Sequence, residues 1–419
     1  MSIIRKAYKL EDICTNITDG AHASPKEDIE GNRRIATVKD MTDFGINLDQ
    51  CKRISELDFE VLKSTGCMPK KGDVLFSKDG TIGKVLFYNS TNEIGVLSSI
   101  AIFRPNQNVV DGKYLSLYLR DKTINQYISD NYRSGSAIPR IILRDFRKFE
   151  LAIPSLSEQR AIATLLSALD DKIELNLQMN RTLEEMAMSL YKHWFVDFGP
   201  FRDGEFVTSE LGEIPKGWEV KRLDQISHKK SETFNFSKHS EVVFVNTGDV
   251  LEGRFLHSDS ISKEGLPGQA KKSISKGDIL YSEIRPKNKR YAFVNFEASN
   301  YVVSTKFMVI NPKSNILGKL LYRILTLQSS VDNFDSIAEG RSGTFPQITF
   351  DAISEMQIVL SPLQVQNQFQ EIVGPMELLQ DELFFENQTL TTLRDALLPK
   401  LISGEVRVKE AAKSLAEVL

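Results

Sequence analysis

Two hydrophobic patterns alternate along the chain. From Ser157 to Trp194 there is neither Gly nor Pro. Within that stretch Ile162, Leu166, Leu169, Ile173, Asn176, Asn180, Leu183, Ala187, Leu190 and Trp194 follow in steps of four and three without a slip. This 3.5-residue spacing is the seam of a coiled coil. The same phase returns 207 residues later as Phe369, Val373, Met376, Gln380, Leu383, Asn387, Leu390, Arg394, Leu397 and Leu401. Elsewhere the apolar runs are short and β-rich: VLFYN, IAIFRP, VVFVN, DILYS, YAFVNF and FMVIN. Gly, Asn, Asp and Pro separate them, as turns require. One helical pattern sits in each half, Tyr114 to Ile128 and Leu320 to Phe334. The expectation is α+β domains combined with two long helices.

The halves are copies. KKGDVLFS (from Lys70) returns as SKGDILYS (from Ser275), VLSSIAIFRPN as VVSTKFMVINP, and RSGSAIPRI as RSGTFPQI. Three motifs at a nearly constant offset imply a duplicated unit. Two matching seams on one chain, joined by a long connection, predict two helices paired antiparallel. Each would be about 55 Å long at 1.5 Å per residue. Asn180 and Asn387 sit at equivalent seam positions. They either fix the register of the pair or are polar residues tolerated near an exposed end. Gly374-Pro375 predicts a kink or a fresh helix start in the second helix.

The 419 residues carry a net charge of −3, so the chain is not uniformly basic. Charge is nevertheless uneven. Residues 271–290 are net +5 and 133–148 net +4, whereas 361–398 are net −5. The globular parts are expected to carry the basic surface, and the acidic helix to face a protein. No run of 18 apolar residues exists, so no membrane span is expected. The N-terminus meets charge too early for a signal peptide, and Cys14, Cys51 and Cys67 lack metal or disulfide spacing. A cytoplasmic protein is the expectation.

The motifs GEIPKGWEVKRLDQI, KKGDVLFS, RSGSAIPRI, IPSLSEQRAIATLLSALDDKIELNLQMNRTLEEMA and LRDALLPKLISGEV resemble those of type I restriction–modification specificity subunits, over essentially the whole chain. The resemblance implies two tandem target recognition domains, residues 1–153 and 201–360. They are separated by two long helices, 154–200 and 361–405, forming an antiparallel coiled coil, with a tail at 406–419. It implies double-stranded DNA as ligand, read as a bipartite asymmetric site. It also implies two modification subunits using S-adenosylmethionine, and restriction subunits using ATP and Mg. The chain itself would hold no cofactor or metal and would be noncatalytic. No [ND]-P-P-[YF] loop, P-loop or HExxH is present, and Asp278, Glu283 and Arg285 only loosely mimic a nuclease set that the first copy lacks. A coiled-coil scaffold without DNA binding is the alternative. It leaves the basic, Gly-punctuated loops unexplained.

Base edges and phosphates are met by Arg, Lys, Asn, Gln, Ser and Thr on loops. In the first copy the candidates are Gly20, His22, Arg33, Arg34, Lys39, Lys78, Thr81, Arg133, Ser134, Ser136 and Arg140. In the second they are Lys229, Lys230, Asn246, Thr247, Arg285, Lys287, Asn288, Lys289, Arg290, Arg341, Ser342, Thr344 and Gln347. The paired RSGS and RSGT segments either contact DNA or form a turn before the last strand. The copies differ where Lys78-Asp79-Gly80 faces Glu283-Ile284-Arg285, and where Ala137 faces Phe345.

Overall fold

The computed structural model describes residues 5–135, 139–341 and 345–418. Contacts divide the chain into two compact units. One is residues 1–181 with 380–419, the other 182–379. Each unit therefore combines one globular domain with about half of each long helix.

In the first unit four antiparallel strands are ordered Cys14–Asp19, Ile100–Pro105, Val74–Ser77, Val85–Phe87. All four residues of Val74–Ser77 are buried. Val74 and Phe76 join the core under the helices, while Leu75 joins a second core under a three-stranded sheet. A strand covered on both faces reads as a continuous apolar run, which is why VLF shows no alternation. The second sheet is ordered Lys52–Ile54, Arg33–Ala36, Gly95–Val96, the last two parallel. Asp111 caps the helix Gly112–Arg120, and Asp121 ends it while capping Lys122–Tyr132.

The second unit repeats this plan. Its strands are ordered Ser227–Lys230, Phe307–Pro312, Ile279–Ser282, Tyr291–Phe293. The other sheet again holds one parallel pair, Glu241–Val245 with Tyr301–Ser304. Helices Gly318–Thr326 and Gln328–Arg341 close it.

The long helices run Leu156–Phe195 and Leu363–Ser403. None of the twenty seam positions is exposed. In the first unit Arg394 pairs with Asp170 at 2.8 Å, Asn176 donates to Asn387 at 2.9 Å, and Gln380 donates to the Asn180 carbonyl at 3.2 Å. Partner numbers fall on one helix as they rise on the other, so the pairing is antiparallel. Asn387 also donates to the Ile173 carbonyl. Ile173 and Gln380 are equivalent in the repeat, as are Asn180 and Asn387. The two bonds thus join equivalent pairs of positions with the helices exchanged, but with donor and acceptor swapped: Gln380 donates in one and Asn387 in the other. Asn387 takes its partners from Asn176 and Ile173. The side-chain oxygen of Asn180 is buried without a partner.

Two expectations need correction. Of the two alternatives at Gly374-Pro375, a kink or a fresh start, the fresh start is not found: the second helix continues through both residues. An internal proline costs about 3 kcal/mol, but Phe369 and Val373, in the two turns before it, are buried in the second unit's core. Each such side chain returns roughly 1.5–3 kcal/mol. The 406–419 segment is no loose tail. Val408–Val418 is a helix whose Ala411 and Leu415 are buried against the first unit.

One glutamine per copy ties helix to domain. Gln159 accepts from the Asp111 N–H at 2.9 Å and donates to the carbonyls of Val109 and Pro154. Gln366 does the same with the Leu317 N–H and the carbonyls of Asn315 and Ser361. Both are essentially fully buried. Replacing Gln159 by Leu leaves one buried and two part-buried backbone groups without this partner. The expected loss is about 3 kcal/mol, read from denaturant unfolding. A loss under about 1 kcal/mol would mean that the clamp carries no weight.

Candidate nucleic-acid interface

In both units the loop after the central strand is joined to the segment before the last strand. In the first, the Gly80 N–H donates to Pro139 at 3.0 Å and the Ile141 N–H to Lys78 at 2.8 Å. This brings together Lys78, Arg140, His22 and two acids, Asp19 and Asp79. Lys78 is buried, 3.3 Å from both Asp19 and Asp79. Arg140 meets Asp79 at 3.0 Å and His22 meets Asp19 at 3.3 Å. Thr81, Arg133 and Ser134 are exposed around this cluster. The hydroxyl of Ser134 donates to the Arg140 carbonyl, so it closes the short hairpin Arg133–Ser134 with Arg140–Ile141.

Three first-copy candidates have structural work instead. A Cβ on Gly20 would lie 2.1 Å from the Val96 carbonyl, so sheet packing demands this glycine. Lys78, being buried between carboxylates, acts as a brace. Arg33 is held by Glu56 in a two-point contact at 2.7 and 2.8 Å, with its guanidinium 4.5 Å from the Phe59 ring. Arg34 is half-buried on the same strand, and Lys39 is exposed in the turn Val38–Asp40.

In the second unit the corresponding bonds run from Arg285 N–H to Pro346 at 3.1 Å and from Ile348 N–H to Glu283 at 2.8 Å. Glu283 takes the place of Lys78, and Lys229 lies 3.8 Å from it. The buried charge at this point of the fold is inverted between copies. Most of the expected basic side chains are engaged by acids or by backbone and hydroxyl oxygens. Lys230 is nearly buried against Asp278 at 3.1 Å, and Asn311 donates to the same carboxylate. Lys287 pairs with Asp335 and Glu339, and Lys289 with Glu252. Arg290 donates to the carbonyls of Gly248 and Val250, and Arg341 to the Thr349 hydroxyl. Lys272 is half-buried and donates to the carbonyls of Thr305 and Phe307, and its partial burial pushes its pKa down. Asn246 accepts from the Thr247 N–H, so its side chain is spent on the turn Thr247–Asp249. Within residues 271–290, Lys276, Lys287 and Lys289 thus pair with acids from outside the stretch. Linear charge counting missed partners that come from distant segments.

Arg285 stands apart. It is exposed, and its guanidinium has no hydrogen-bond or ionic partner among the described residues. Asn288 is exposed and Gln347 half-buried beside it, Gln347 bridging Ile284. Arg285, Lys289 and Glu252 all have left-handed backbone, with φ of 46°, 53° and 43°. The Glu252 N–H donates to the Lys289 carbonyl, so two of these turns touch. Such residues carry about 1–3 kcal/mol of strain each, and strain of this kind clusters at functional sites. Asp278 and Glu283 are each engaged with a different lysine, which ends the nuclease mimicry.

Ser136, Ser342 and Thr344 lie outside the described residues, as does Ala137. Anchoring the copies on Pro139 and Pro346 also corrects their alignment: Phe345 corresponds to Ile138, not Ala137. Phe345 is 64% exposed. A large apolar residue inside a polar turn was the signal that could have marked it.

Comparison with known proteins follows this geometry. The model of the family described as "Type I restriction modification DNA specificity domain" matches residues 6–185 and 215–384. The type I restriction enzyme HindI specificity subunit of Haemophilus influenzae is 44% identical over 204 residues, 48% of this chain and 44% of that subunit. The MjaIX specificity subunit of Methanocaldococcus jannaschii is 30% identical over 357 residues, 81% of this chain and 79% of that one. The crystal structure of a type I restriction–modification S subunit from M. genitalium matches with a TM-score of 0.60, covering 95% of this chain and 96% of that one. At 15% identity it shows a shared fold.

Proposed function

Because this chain belongs to the type I restriction–modification DNA specificity family, whose role is DNA sequence specificity, we propose that it is the noncatalytic reader of a bipartite, asymmetric DNA site. Each domain reads one half-site. The helix pair spaces the domains and docks two modification subunits, which hold S-adenosylmethionine and methylate adenine. Restriction subunits supply the ATP- and Mg-dependent steps. The chain carries no cofactor of its own and acts in the cytoplasm, where its DNA lies. Among the described residues no helix is long and apolar enough to cross a membrane.

One observation supports this reading most. The same loop-to-segment hydrogen bonds recur in both domains, while the side chains they present differ. Lys78, Asp79, Gly80 and Arg140 in the first copy correspond to Glu283, Ile284, Arg285 and Gln347 in the second. Donor and acceptor patterns decide which base edge is accepted, so a repeated frame with unlike side chains suits two unlike half-sites.

The test is the spacing. Lengthening both helices by one heptad adds about 10 Å. The unread gap in the methylated motif should widen by up to about three base pairs at 3.4 Å each. Mapping methylated adenines gives the gap directly. An unchanged gap would refute the helices as a ruler. Methyl transfer by the chain alone would refute the noncatalytic assignment.

A further inference from the structure

We propose that Arg285 is the residue with which the second domain reads a guanine, and that its strained backbone is retained for this contact. The inference rests on the DNA-reading function above and goes further by naming one residue and one base.

The two copies build the same turn here. Gly80 and Arg285 each donate an N–H to the carbonyl of a proline, Pro139 or Pro346. The residues before them, Asp79 and Ile284, bridge to Arg140 and Gln347. The residues before those, Lys78 and Glu283, accept from Ile141 and Ile348. The central residue is left-handed in both, with φ of 73° at Gly80 and 46° at Arg285. Glycine adopts this backbone freely, whereas a residue with a Cβ does not. Arg285 also precedes Pro286, and a residue before proline is pushed toward extended backbone. The first copy shows that the turn closes with glycine. The turn itself therefore gives no reason for an arginine.

The side chain supplies the reason. Lys287, Lys289 and Arg290 in the same loop are all engaged by carboxylates or carbonyls. Arg285 alone of these cations presents a guanidinium with no partner among the described residues. Its backbone is pinned by Pro346 on one side and by the fixed ring of Pro286 on the other. A planar guanidinium on a fixed stem matches the O6 and N7 acceptors of guanine in two parallel hydrogen bonds. A phosphate contact makes no such demand, since flexible lysines serve it. Gln347, the neighbour across the bridge, suits an adjacent base through its amide.

The variant Arg285→Gly separates this role from a structural one. Assembled with modification subunits, the variant and the unaltered chain would each select from a library of random-sequence duplexes. The Tm of the variant should hold or rise by about 2–4 °C, because glycine relieves the strain. Its selected motif should lose one guanine from one half-site, with the other half-site unchanged. Affinity for the original motif should fall about ten- to hundredfold. Arg285→Ala should lose the same guanine without the gain in Tm, since alanine keeps the Cβ. A Tm drop of more than about 4 °C for the glycine variant would show that arginine supports the turn, and would overturn the proposal. So would uniform weakening with an unchanged motif, the mark of a phosphate contact, or no change at all. If the unaltered chain selects no motif, the DNA-reading function fails and this inference falls with it.

Discussion

Exchanging residues 1–153 for the matching domain of a relative will rewrite one half of the methylated DNA site and leave the other half intact. The first domain packs on helices of its own unit, its core including Ile162, Leu166, Leu398, Leu401 and Ala411 beside the residues exchanged. Its two sheets, its cores and its loop cluster are closed within one unit. The second domain has its own cores. The effect should be large, because specific sites are bound about 10³–10⁷ times more tightly than unspecific DNA. The exchange must respect the junction. Gln159 needs the Asp111 N–H and the Val109 and Pro154 carbonyls at matching positions. A chimera joined inside that clamp would fail for reasons of folding, so both joint positions should be compared by thermal melting first. Mapping the methylated motif of a folded chimera then decides. A motif altered in both halves would mean that the domains do not read independently.

The architecture was legible in the sequence because it is written in periods. A 3.5-residue seam kept over ten positions and a 207-residue repeat survive any detail of packing. The parallel strand pair in each domain was not legible, because Gly95–Val96 is two residues long and has no pattern of its own. The interface was legible only as a neighbourhood. Lys78, Arg140 and His22 do come together, but through Asp19 and Asp79, which a search for cations passes over. Arg33 and Lys230 were chosen for their charge, yet charge along a chain says nothing of a carboxylate arriving from elsewhere in the sequence. Arg285 could be separated from its neighbours only once those partners were visible. Gln159 was quoted as part of a family motif, and its role as a clamp follows from burial alone.

Removing Asp170 should destabilise the first unit by about 3 kcal/mol or more. Its carboxylate faces Arg120 at 2.9 Å and Arg394 at 2.8 Å, and the side chains of all three are less than one-fifth exposed. Burial opposes the charge of Arg394, but hydrogen bonds to Asp170 and Asp395 outweigh it and its pKa is raised. Asp170→Ala leaves Arg120 without its acid and Arg394 with only Asp395, its chain neighbour. Arg120 would then be a largely buried guanidinium with no carboxylate among the described residues, and uncompensated charge is the costly outcome. At about 2–4 °C per kcal/mol for a unit of this size, Tm should fall by roughly 6–12 °C. Glu377 occupies the equivalent position in the repeat, pairing with Arg323 and Lys319 at 3.2 and 2.8 Å. Glu377→Ala should strike the second unit in the same way. The sign reverses if the charges go together. Replacing Arg120, Asp170 and Arg394 jointly by apolar residues of similar volume should be neutral or stabilising, because all the desolvation cost is removed at once. A single substitution with a Tm drop under about 2 °C would show that water reaches these groups and that the pairing adds little. A triple replacement as damaging as the single one would show that the ion pairs specify how the two helices meet.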